Sequence, residues 1–321
     1  MTSTRIVALG HHQPERVLTN DDLAAMVDTS DAWIRQRTGI ATRRIARDDE
    51  TVADMATAAA GKALAAAGLA PADIDLVVVA TSSAIDRSPS TAAQVAARLG
   101  AAAPASYDLN NACAGFTTAL AAADHSVRAG AARHALVIGA EKMSDLTDWT
   151  DRSTCVLLGD GAGAAVLSAV PDAPDGPEGL QGVGPVVWGS DPTRADAVRL
   201  AGAWQPRFAQ DGQAVFRWAT TTLAPIAEEA CRRAGVAVAD LGGIVTHQAN
   251  LRIIESVVRQ LGATDAVVAK DVVDSGNTSA ASVPLAFSKL VERGDLAPGA
   301  PVLLLGFGGG LSWAGQVVSC P

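Results

Sequence analysis

The 321-residue sequence contains only four cysteines, and no two of them are close together. They are Cys113, Cys155, Cys231 and Cys320. Without a C-x-x-C pair, the chain has neither the common spacing of zinc ligands nor that of a dithiol redox motif. The cysteines are therefore predicted to be free thiols of a reduced, cytoplasmic protein, in which one of them is available as a nucleophile.

The sequence also lacks a long apolar run, a signal peptide and an excess of positive charge. No apolar run is long enough to span a membrane, and residues 1–20 have neither the apolar core nor the cleavage pattern of a signal peptide. The formal net charge of −9 argues against a general nucleic-acid binder, although a local basic patch is compatible with it. We therefore expect a cytoplasmic protein that has neither a membrane nor a nucleic acid as its partner.

Apolar residues, in contrast, are abundant. They make up 49% of the chain, whereas charged residues make up 18%, which is the composition of a globular protein. A chain of this length can bury a large core and suggests two domains or one large domain.

Two pairs of segments repeat at one fixed distance along the chain. In KALAAAGLAPADIDLVVVAT (62–81) and EEACRRAGVAVADLGGIVTHQ (228–248), a Gly closes an alanine-rich helix and a short apolar run predicts a buried strand. The segments 107–141 and 270–308 are also alike. The step from Asp73 to Asp240 in the first pair equals the step from Gly139 to Gly306, where the last strands of the second pair end. We call this common step the repeat offset.

So long a repeat offset indicates a duplicated half-domain, with chance similarity between alanine-rich segments as the alternative. The duplication predicts an α/β protein made of two similar halves. The Pro/Gly-rich segment 170–184 is the predicted connection between them. We accordingly expect an N-terminal half of residues 1–170 and a C-terminal half of residues 171–321.

Cys113 lies between a predicted strand and a predicted helix, in the stretch NNACAGFTTAL (110–120). A free cysteine is usually a small buried hydrophobe, and this is the alternative to a catalytic role. At a helix N-terminus, however, unpaired N–H groups and the helix dipole stabilise a thiolate, so we expect a lowered pKa for this thiol. The small neighbours Ala112, Ala114 and Gly115 leave room for a substrate to reach the sulfur.

His247 and Asn277 stand at comparable ends of elements in the second half. His247 ends a predicted strand, and Asn277 precedes a predicted helix. Each has a structural alternative, as a partly buried histidine and as a turn or N-cap residue. Pseudo-twofold symmetry would direct the helix starts of both halves to one central site, so the combination with Cys113 predicts a nucleophile with two partners.

These motifs resemble those of the β-ketoacyl-acyl carrier protein synthase III family, which belongs to the thiolase-fold condensing enzymes. The resemblance spans essentially the whole chain. Six stretches carry it: TSDAWIRQRTGI (29–40), NNACAGFTTAL (110–120), LLGDGAGAAVL (157–167), HQANLRII (247–254), GNTSAASVPLAF (276–287) and GFGGGLSWA (306–314). It implies a five-layered αβαβα fold and a homodimer. It also implies the condensation of an acyl-CoA starter with malonyl-acyl carrier protein, with loss of carbon dioxide, at the start of fatty acid or polyketide synthesis.

The resemblance implies a role for each of the central residues. Cys113 would carry the acyl group as a thioester, while the N–H groups of Cys113 and Gly309 form an oxyanion hole. His247 and Asn277 would donate hydrogen bonds to the malonyl thioester oxygen, on which charge collects as carbon dioxide leaves. No metal or redox cofactor is implied, because acyl-CoA is itself a substrate.

A second group of residues is implied in binding coenzyme A. In this group Trp33 and Arg152 would sandwich the adenine, and Arg37 and Arg252 would lie near the phosphates. One position departs from the family, since Gln213 stands where Asn is common. The implied group comprises Thr29, Trp33, Arg37, Arg152, Gly212, Phe216, Asn250 and Arg252.

Two further expectations concern the carrier protein and the acyl group. Arg217, Arg252 and Arg259 would form a basic face for an acidic carrier protein, with ordinary surface charge as the alternative for Arg259. By the resemblance, a residue of the neighbouring subunit closes the acyl pocket, and the matching position here is Ser88. Serine would leave the pocket deep enough for a longer or branched acyl chain, unless Ile85 or Leu200 collapses inward and closes it.

Two other functions remain open at this point. One is an acyltransferase of the same fold that passes the acyl group to an oxygen or nitrogen acceptor without condensation. The other is a catalytically inactive partner subunit. The presence of Cys113, His247 and Asn277 together favours the condensing enzyme over both.

Overall fold

A computed structural model describes residues 2–86, 88–171, 180, 182–203 and 205–321, apart from the side chains of Thr2 and Pro171. Within these ranges, no helix combines the length and the apolar character that crossing a membrane requires.

The first half of the chain builds one five-stranded sheet. In chain order its elements are β1 (Thr2–His12), β2 (Arg16–Thr19), α1 (Asn20–Ala24), α2 (Asp31–Thr38), β3 (Thr42–Ile45), α3 (Val52–Ala67), β4 (Leu76–Ala80), α4 (Thr91–Leu99), β5 (Ala105–Leu109), α5 (Gly115–Arg128), β6 (His134–Lys142) and β7 (Asp160–Pro171). The strand order in the sheet is β1-β7-β6-β4-β5, with β4 parallel to β5 and β6, and β7 antiparallel to β1 and β6. Strands β2 and β3 form a separate antiparallel pair.

The second half builds a second five-stranded sheet. Its elements are β8 (Val187–Ser190), β9 (Val198–Ala201), β10 (Arg207–Gln210), α6 (Gly212–Ala234), β11 (Gly243–Thr246), α7 (Leu251–Leu261), β12 (Val267–Val268), α8 (Val272–Ser275), α9 (Ser282–Glu292), β13 (Pro301–Gly308) and β14 (Ser312–Ser319). The strand order is β12-β11-β13-β14-β8, while β9 and β10 pair separately.

The two sheets have the same connectivity. Read from β8, the second sheet runs β8-β14-β13-β11-β12, which repeats the order β1-β7-β6-β4-β5 of the first. The first residues of β4 and β11 are separated by the repeat offset, and so are those of β6 and β13 and of α5 and α9. The predicted duplication is therefore confirmed by the structure.

The layers follow from strands that are apolar on both faces. In β4, Leu76, Val78 and Ala80 pack toward α5 and α9, whereas the alternating Val77 and Val79 pack toward α3 and α4. The second sheet covers the other side of α5 and α9 and is covered in turn by α6 and α7. The chain thus has the expected five layers, with α5 and α9 buried between the two sheets.

The connection between the halves is only partly described. Strand β7 ends at Pro171 and β8 begins at Val187, but residues 172–179 and 181 of the predicted linker lie outside the described residues. The division into residues 1–170 and 171–321 therefore stays a prediction.

Each central helix begins with a tight turn that lies against a strand of the other half. The turn before α5 contains Ala112 at φ 44°, and the turn before α9 contains Ser279, its counterpart at the repeat offset, at φ 48°. Glycine is needed where a strand passes each turn. A Cβ atom at Gly139 would lie 2.4 Å from the Ala280 carbonyl oxygen, and one at Gly306 would lie 3.0 Å from Ala114 Cα.

We expect Gly139→Ala to destabilise the protein by about 1–3 kcal/mol, because the added methyl group collides with backbone atoms that cannot move aside independently. Thermal unfolding measures this change. Gly61→Ala is the matched control, because a Cβ atom at this position in α3 meets nothing within 4 Å, and alanine favours a helix interior. A Gly139→Ala protein as stable as the Gly61→Ala protein would contradict the proposed tight contact.

Candidate active site

Cys113 lies on the turn between β5 and α5, at the centre of the molecule. Its side chain is 8% exposed, and the turn that carries it spans Ala112–Ala114. Strand β13 approaches so closely that a Cβ atom at Gly308 would lie 2.6 Å from Cys113 Cβ and 2.9 Å from its Sγ. Only glycine fits here, so the backbone of residues 308 and 309 lies directly beside the sulfur.

A cavity of about 270 Å³ opens at the thiol, and we call it the inner cavity. Its lining includes Ser82, Met143, Val198, Leu200, Phe208 and Gly309 together with Cys113. The lining is mainly apolar, and Asn110, Arg199 and Ser279 add polar groups to it. The inner cavity can therefore hold a small apolar group attached to Cys113.

Burial dominates the electrostatics of the thiol. It raises the pKa of Cys113 to about 11, and the nearby Glu141 carboxylate adds to the rise. Hydrogen bonds from the Ser279 hydroxyl and from the N–H groups of Gly309 and Cys113 oppose it. The predicted lowering of this pKa is wrong, because these donors stabilise the thiolate less than the loss of water destabilises it.

His247 follows β11 and is 2% exposed. Burial lowers its pKa to about 3, so the ring is neutral at physiological pH. Its backbone N–H donates to the Leu305 carbonyl at 2.7 Å, and its ring contacts the Phe307 ring edge-on, with centroids 5.2 Å apart. His247 and Cys113 thus pack against adjacent residues of β13, namely Phe307 and Gly308.

The side-chain amide of Asn277 has a defined direction. Its Oδ1 accepts a hydrogen bond from the Ser279 N–H at 2.9 Å, which leaves the NH₂ group to donate elsewhere. The backbone of Asn277 is held on both sides, because its N–H donates to Leu157 O at 2.8 Å and its carbonyl accepts from Gly159 N–H at 3.0 Å. The amide is therefore a fixed donor.

Glu141, near the end of β6, is fully buried below the site. Its carboxylate accepts from Thr81 Oγ1 at 3.1 Å, from the N–H groups of Ser82 and Ser83 at 3.0 Å each, and from both serine hydroxyls. It also accepts from Ala280 N–H at 3.5 Å. This anion ties the loop after β4, which reaches the inner cavity at Ser82, to the turn before α9.

A second and larger cavity leads from the surface toward Asn277, and we call it the outer cavity. Its volume is about 720 Å³. The predicted coenzyme A residues along it are Trp33, Arg37, Gly212, Phe216, Asn250 and Arg252, and Gln213, Arg217 and Asn277 line it as well. The structure therefore brings most of this predicted group to one cavity.

Local hydrogen bonds and ring contacts arrange the polar groups of the outer cavity. Asn250 is the N-cap of α7: its Oδ1 accepts from Arg252 N–H at 2.9 Å, and its amide donates to Arg37 O at 3.1 Å. The Arg252 guanidinium lies 5.1 Å from the centre of the Phe216 ring. Asn250 thereby ties the backbone of α7 at Arg252 to that of α2 at Arg37.

Arg152 stacks directly on Trp33 rather than across a gap. Its guanidinium carbon lies 5.3 Å from the ring centre, and that of Arg37 lies 5.7 Å from it. Arg152 also donates to Asp28 O at 2.7 Å. An adenine ring between Trp33 and Arg152 requires a separation of about 7 Å, which is two van der Waals contacts, so the predicted sandwich needs Arg152 to move outward.

Several predicted residues lie away from both cavities within the chain. Ser88 is exposed and does not line the inner cavity. Arg259 is exposed in the last turn of α7, outside the lining of the outer cavity. Thr29 is not part of that lining either, and its Oγ1 is buried without a hydrogen-bond partner in the described part of the chain.

Of the two residues considered for closing the acyl pocket, Leu200 lines the inner cavity, whereas Ile85 is 74% exposed and does not.

Sequence reasoning missed three polar residues near the reacting groups: Glu141, Ser279 and Ser282. The repeat offset provided a signal for the serines, because it relates Ser279 and Ser282 to Ala112 and Gly115 beside Cys113. Within the described ranges, no cluster of three or more histidine, cysteine, aspartate or glutamate side chains has the geometry of a metal site.

Two family models match the chain. The model of 3-oxoacyl-[acyl-carrier-protein (ACP)] synthase III matches residues 107–191, and the model of its C-terminal region matches residues 231–320. The beta-ketoacyl-[acyl-carrier-protein] synthase III 2 of Streptomyces avermitilis is 65% identical over the full length of both chains.

Solved structures are similar as well. A priming β-ketosynthase of a polyketide biosynthetic pathway has a TM-score of 0.95 at 43% identity, covering 99% of this chain and 96% of that one. The 3-oxoacyl-(acyl carrier protein) synthase III of Pseudomonas aeruginosa has a TM-score of 0.93 at 40% identity, covering 99% of this chain and 98% of that one.

We expect Glu141→Gln to lower the pKa of Cys113, because the negative charge that disfavours the thiolate is removed. At a fixed pH near 9 the thiolate fraction should rise, and alkylation of Cys113 by iodoacetamide should become faster. The pH dependence of that rate, followed by mass spectrometry, measures the pKa.

Asp124→Asn is the matched control for this experiment. It neutralises a buried carboxylate of α5 that pairs with Arg128 and does not act on the thiol. If the pH dependence of Cys113 alkylation in the Glu141→Gln protein equals that of the wild type, or is shifted to higher pH, the assigned role of the Glu141 charge is contradicted.

Proposed function

The chain belongs to the 3-oxoacyl-[acyl-carrier-protein] synthase III family, and we propose that Cys113, His247 and Asn277 catalyse the family's condensation in it. The protein is a condensing enzyme of the β-ketoacyl-acyl carrier protein synthase III type, which initiates fatty acid or polyketide synthesis. Its proposed substrates are an acyl-CoA and malonyl-acyl carrier protein.

The first proposed step is acyl transfer to Cys113. The sulfur attacks the carbonyl carbon of the acyl-CoA thioester, the bond to the coenzyme A sulfur breaks, and the thiol proton leaves with coenzyme A. Negative charge develops on the carbonyl oxygen during the attack. We assign the N–H groups of Cys113 and Gly309, which hydrogen-bond to the sulfur, as the donors to that oxygen.

The second proposed step is decarboxylation of the malonyl group. The bond between its carboxylate and methylene carbons breaks, carbon dioxide leaves, and the electron pair becomes an enolate on the thioester oxygen. His247 and Asn277 would donate hydrogen bonds to this oxygen. Since the ring is neutral and the amide does not titrate, both donors act without changing their charge.

In the third proposed step the enolate carbon attacks the acyl-Cys113 carbonyl. A carbon–carbon bond forms, the thioester bond to Cys113 breaks, and the sulfur recovers a proton. The 3-oxoacyl product leaves on the carrier protein. The three steps use groups of this chain, its two substrates and one proton taken up from solvent, which restores the Cys113 thiol.

The observation that supports this proposal most strongly is the arrangement of the two cavities. The outer cavity reaches Asn277, and the inner cavity contains Cys113 beside the two N–H groups. A long substrate arm in the outer cavity would bring its thioester to the nucleophile, while the acyl group occupies the inner cavity. Thioester exchange followed by condensation requires that a substrate arm reach the nucleophile in this way.

The outer cavity suits coenzyme A and the equivalent arm of a carrier protein. Arg37, Arg217 and Arg252 line it and can pair with phosphate groups. We propose that Arg217 and Arg252 also form a docking face for the acidic carrier protein. Arg259 extends this face along α7, two helical turns beyond Arg252.

We further propose a homodimer that forms along β5. This strand is at the edge of the first sheet, and its side chains are partly or fully exposed, including Tyr107. An unpaired edge of this kind is a surface for another strand. The proposed cytoplasmic location stays a prediction from the sequence.

We expect Cys113→Ala to abolish acyl transfer from acyl-CoA, because no thioester can form. His247→Ala and Asn277→Ala should still acylate Cys113 but lose at least 100-fold in carbon dioxide release, the cost of removing one donor to a developing oxyanion. Intact-protein mass spectrometry detects the adduct, and release of labelled carbon dioxide from malonyl-carrier protein measures the second step.

These measurements also separate the alternatives. A full acyl adduct on the Cys113→Ala protein would contradict the assignment of the nucleophile. Acylation of the wild type without carbon dioxide release would indicate an acyltransferase, and no acylation at all would indicate an inactive subunit.

We expect the wild-type enzyme to prefer isobutyryl-CoA or longer acyl-CoA over acetyl-CoA, because Ser88 of the neighbouring subunit does not fill the pocket. Each additional buried methylene adds about 0.8 kcal/mol, or close to fourfold in kcat/KM. Ser88→Phe should lower kcat/KM for the longer substrates and leave acetyl-CoA, the internal control, nearly unchanged. A wild-type preference for acetyl-CoA over every longer substrate would show that side chains such as Leu200 close the pocket.

A further inference from the structure

Ser282, the first residue of α9, is in direct contact with His247. Its Oγ lies 2.7 Å from His247 Nδ1 and 3.3 Å from the Gln248 backbone nitrogen, and the serine is 1% exposed. These are the two hydrogen bonds that this hydroxyl makes in the described part of the chain. The hydroxyl is therefore the hydrogen-bonding partner of Nδ1, and it determines whether that nitrogen donates or accepts.

A count of protons fixes the direction of the shorter bond. A serine hydroxyl has one proton to donate and accepts through its lone pairs. The Gln248 N–H can only donate, so Oγ accepts from it, and the hydroxyl proton needs an acceptor of its own. His247 Nδ1 is the acceptor within reach. If Nδ1 carried the proton instead, the buried hydroxyl would have two incoming donors and no acceptor for its own proton.

We propose that Ser282 is a positioning residue that donates to Nδ1 of His247 and thereby places the ring proton on Nε2. This inference rests on the proposed function, in which Nε2–H donates to the malonyl thioester oxygen. An imidazole protonated on Nδ1 would instead present a lone pair to that oxygen and repel the enolate. Burial keeps the ring neutral, so a single proton has to be on the correct nitrogen.

Gln248 and Phe307 hold Ser282 and the His247 ring in position. Gln248 is fully buried, and its side chain donates to Thr246 O at 2.7 Å and accepts from Val272 N–H at 3.1 Å. These bonds fix the peptide group between His247 and Gln248, whose N–H points at Ser282. The edge-on contact with Phe307 sets the plane of the ring.

The duplicated half shows that the fold itself does not require this pair. The counterparts of His247 and Ser282 at the repeat offset are Ala80 and Gly115. A Cβ atom at Gly115 would lie 3.1 Å from Ala80 Cβ, so the same two positions are also neighbours in the first half. There they pack without any hydrogen bond between side chains, whereas in the second half they form a serine–histidine pair beside the reacting groups.

The chain contains a matched control on the same helix. Ser288 is also buried in α9, and its Oγ lies 3.0 Å from Nδ1 of His11. Ser288→Ala therefore removes the same kind of contact from the same helix, but far from the reacting groups. Any loss that Ser282→Ala and Ser288→Ala share is due to packing.

The direct test is the tautomer of His247. The chain has five histidines, so protein labelled with ¹⁵N only in histidine gives few ring signals, and those of His247 are the ones absent from the His247→Ala protein. We expect a proton on Nε2 in the wild type. A proton on Nδ1 would overturn the proposal, and this readout does not depend on any activity.

The kinetic test separates the role of Ser282 from the proposed function. Ser282→Ala should lower kcat for carbon dioxide release by about tenfold, the worth of one buried hydrogen bond, while KM for malonyl-carrier protein stays within about twofold. Ser282→Thr, which keeps the hydroxyl, should recover most of the lost kcat, and Ser288→Ala should match the wild type.

Each result has one meaning. If wild-type protein releases no carbon dioxide, the proposed function fails, while the NMR result still decides the tautomer. If Ser282→Ala releases carbon dioxide at the wild-type rate, or loses no more than Ser288→Ala, Ser282 does not position the ring. Failure of Ser282→Thr to recover kcat at wild-type thermal stability would likewise overturn the proposal.

Discussion

No side chain fits between β13 and the turn that carries Cys113, and the rest of the site depends on this contact. Glycine at positions 306 and 308 lets the backbone of the second half reach Cys113 in the first. As a result the Gly309 N–H is positioned at the sulfur, and the two halves share one site. The same constraint recurs at Gly139, where β6 meets the turn that carries Ser279.

Burial gives this site an unusual charge distribution. The thiol of Cys113 and the ring of His247 are both neutral because water is excluded from them, and the Glu141 anion is the buried charge beneath them. Three arginines, Arg37, Arg217 and Arg252, line the outer cavity, whereas Arg199 is the one cationic residue of the described chain in the lining of the inner cavity. Under the proposed function, such a site would bind anionic substrates at its mouth and stabilise developing negative charge inside with fixed N–H and amide donors, which cost no reorganisation during the reaction.

The two-halved fold and many residues of the outer cavity could be predicted from the sequence, because repeat spacing and family motifs can be read directly from the order of the residues. The repeat offset predicted the paired halves and the related turns before α5 and α9, and family motifs brought Trp33, Asn250 and Arg252 to one cavity. Three-dimensional contacts could not be read in the same way. The pair of Ser282 and His247 is 35 residues apart in sequence, and Glu141 meets Ser82 across 59. The pKa of Cys113 was predicted in the wrong direction because the helix start was visible in the sequence, whereas the loss of water around the thiol was not.

The two halves differ at the equivalent positions beside the site, so that the thiol comes from one half and the glycine that lies against it comes from the other. The counterpart of Cys113 at the repeat offset is Ala280, and the counterpart of Gly308 is Glu141. The second half brings the backbone of Gly308 to Cys113, whereas the first half brings the Glu141 carboxylate, which accepts from Ala280 N–H, to the equivalent position. A cysteine at position 280 would face a buried anion, which disfavours a thiolate strongly. Glu141 therefore makes that position unsuitable for a second nucleophile, while its hydrogen bonds hold the turn whose Ser279 donates to the thiol that remains.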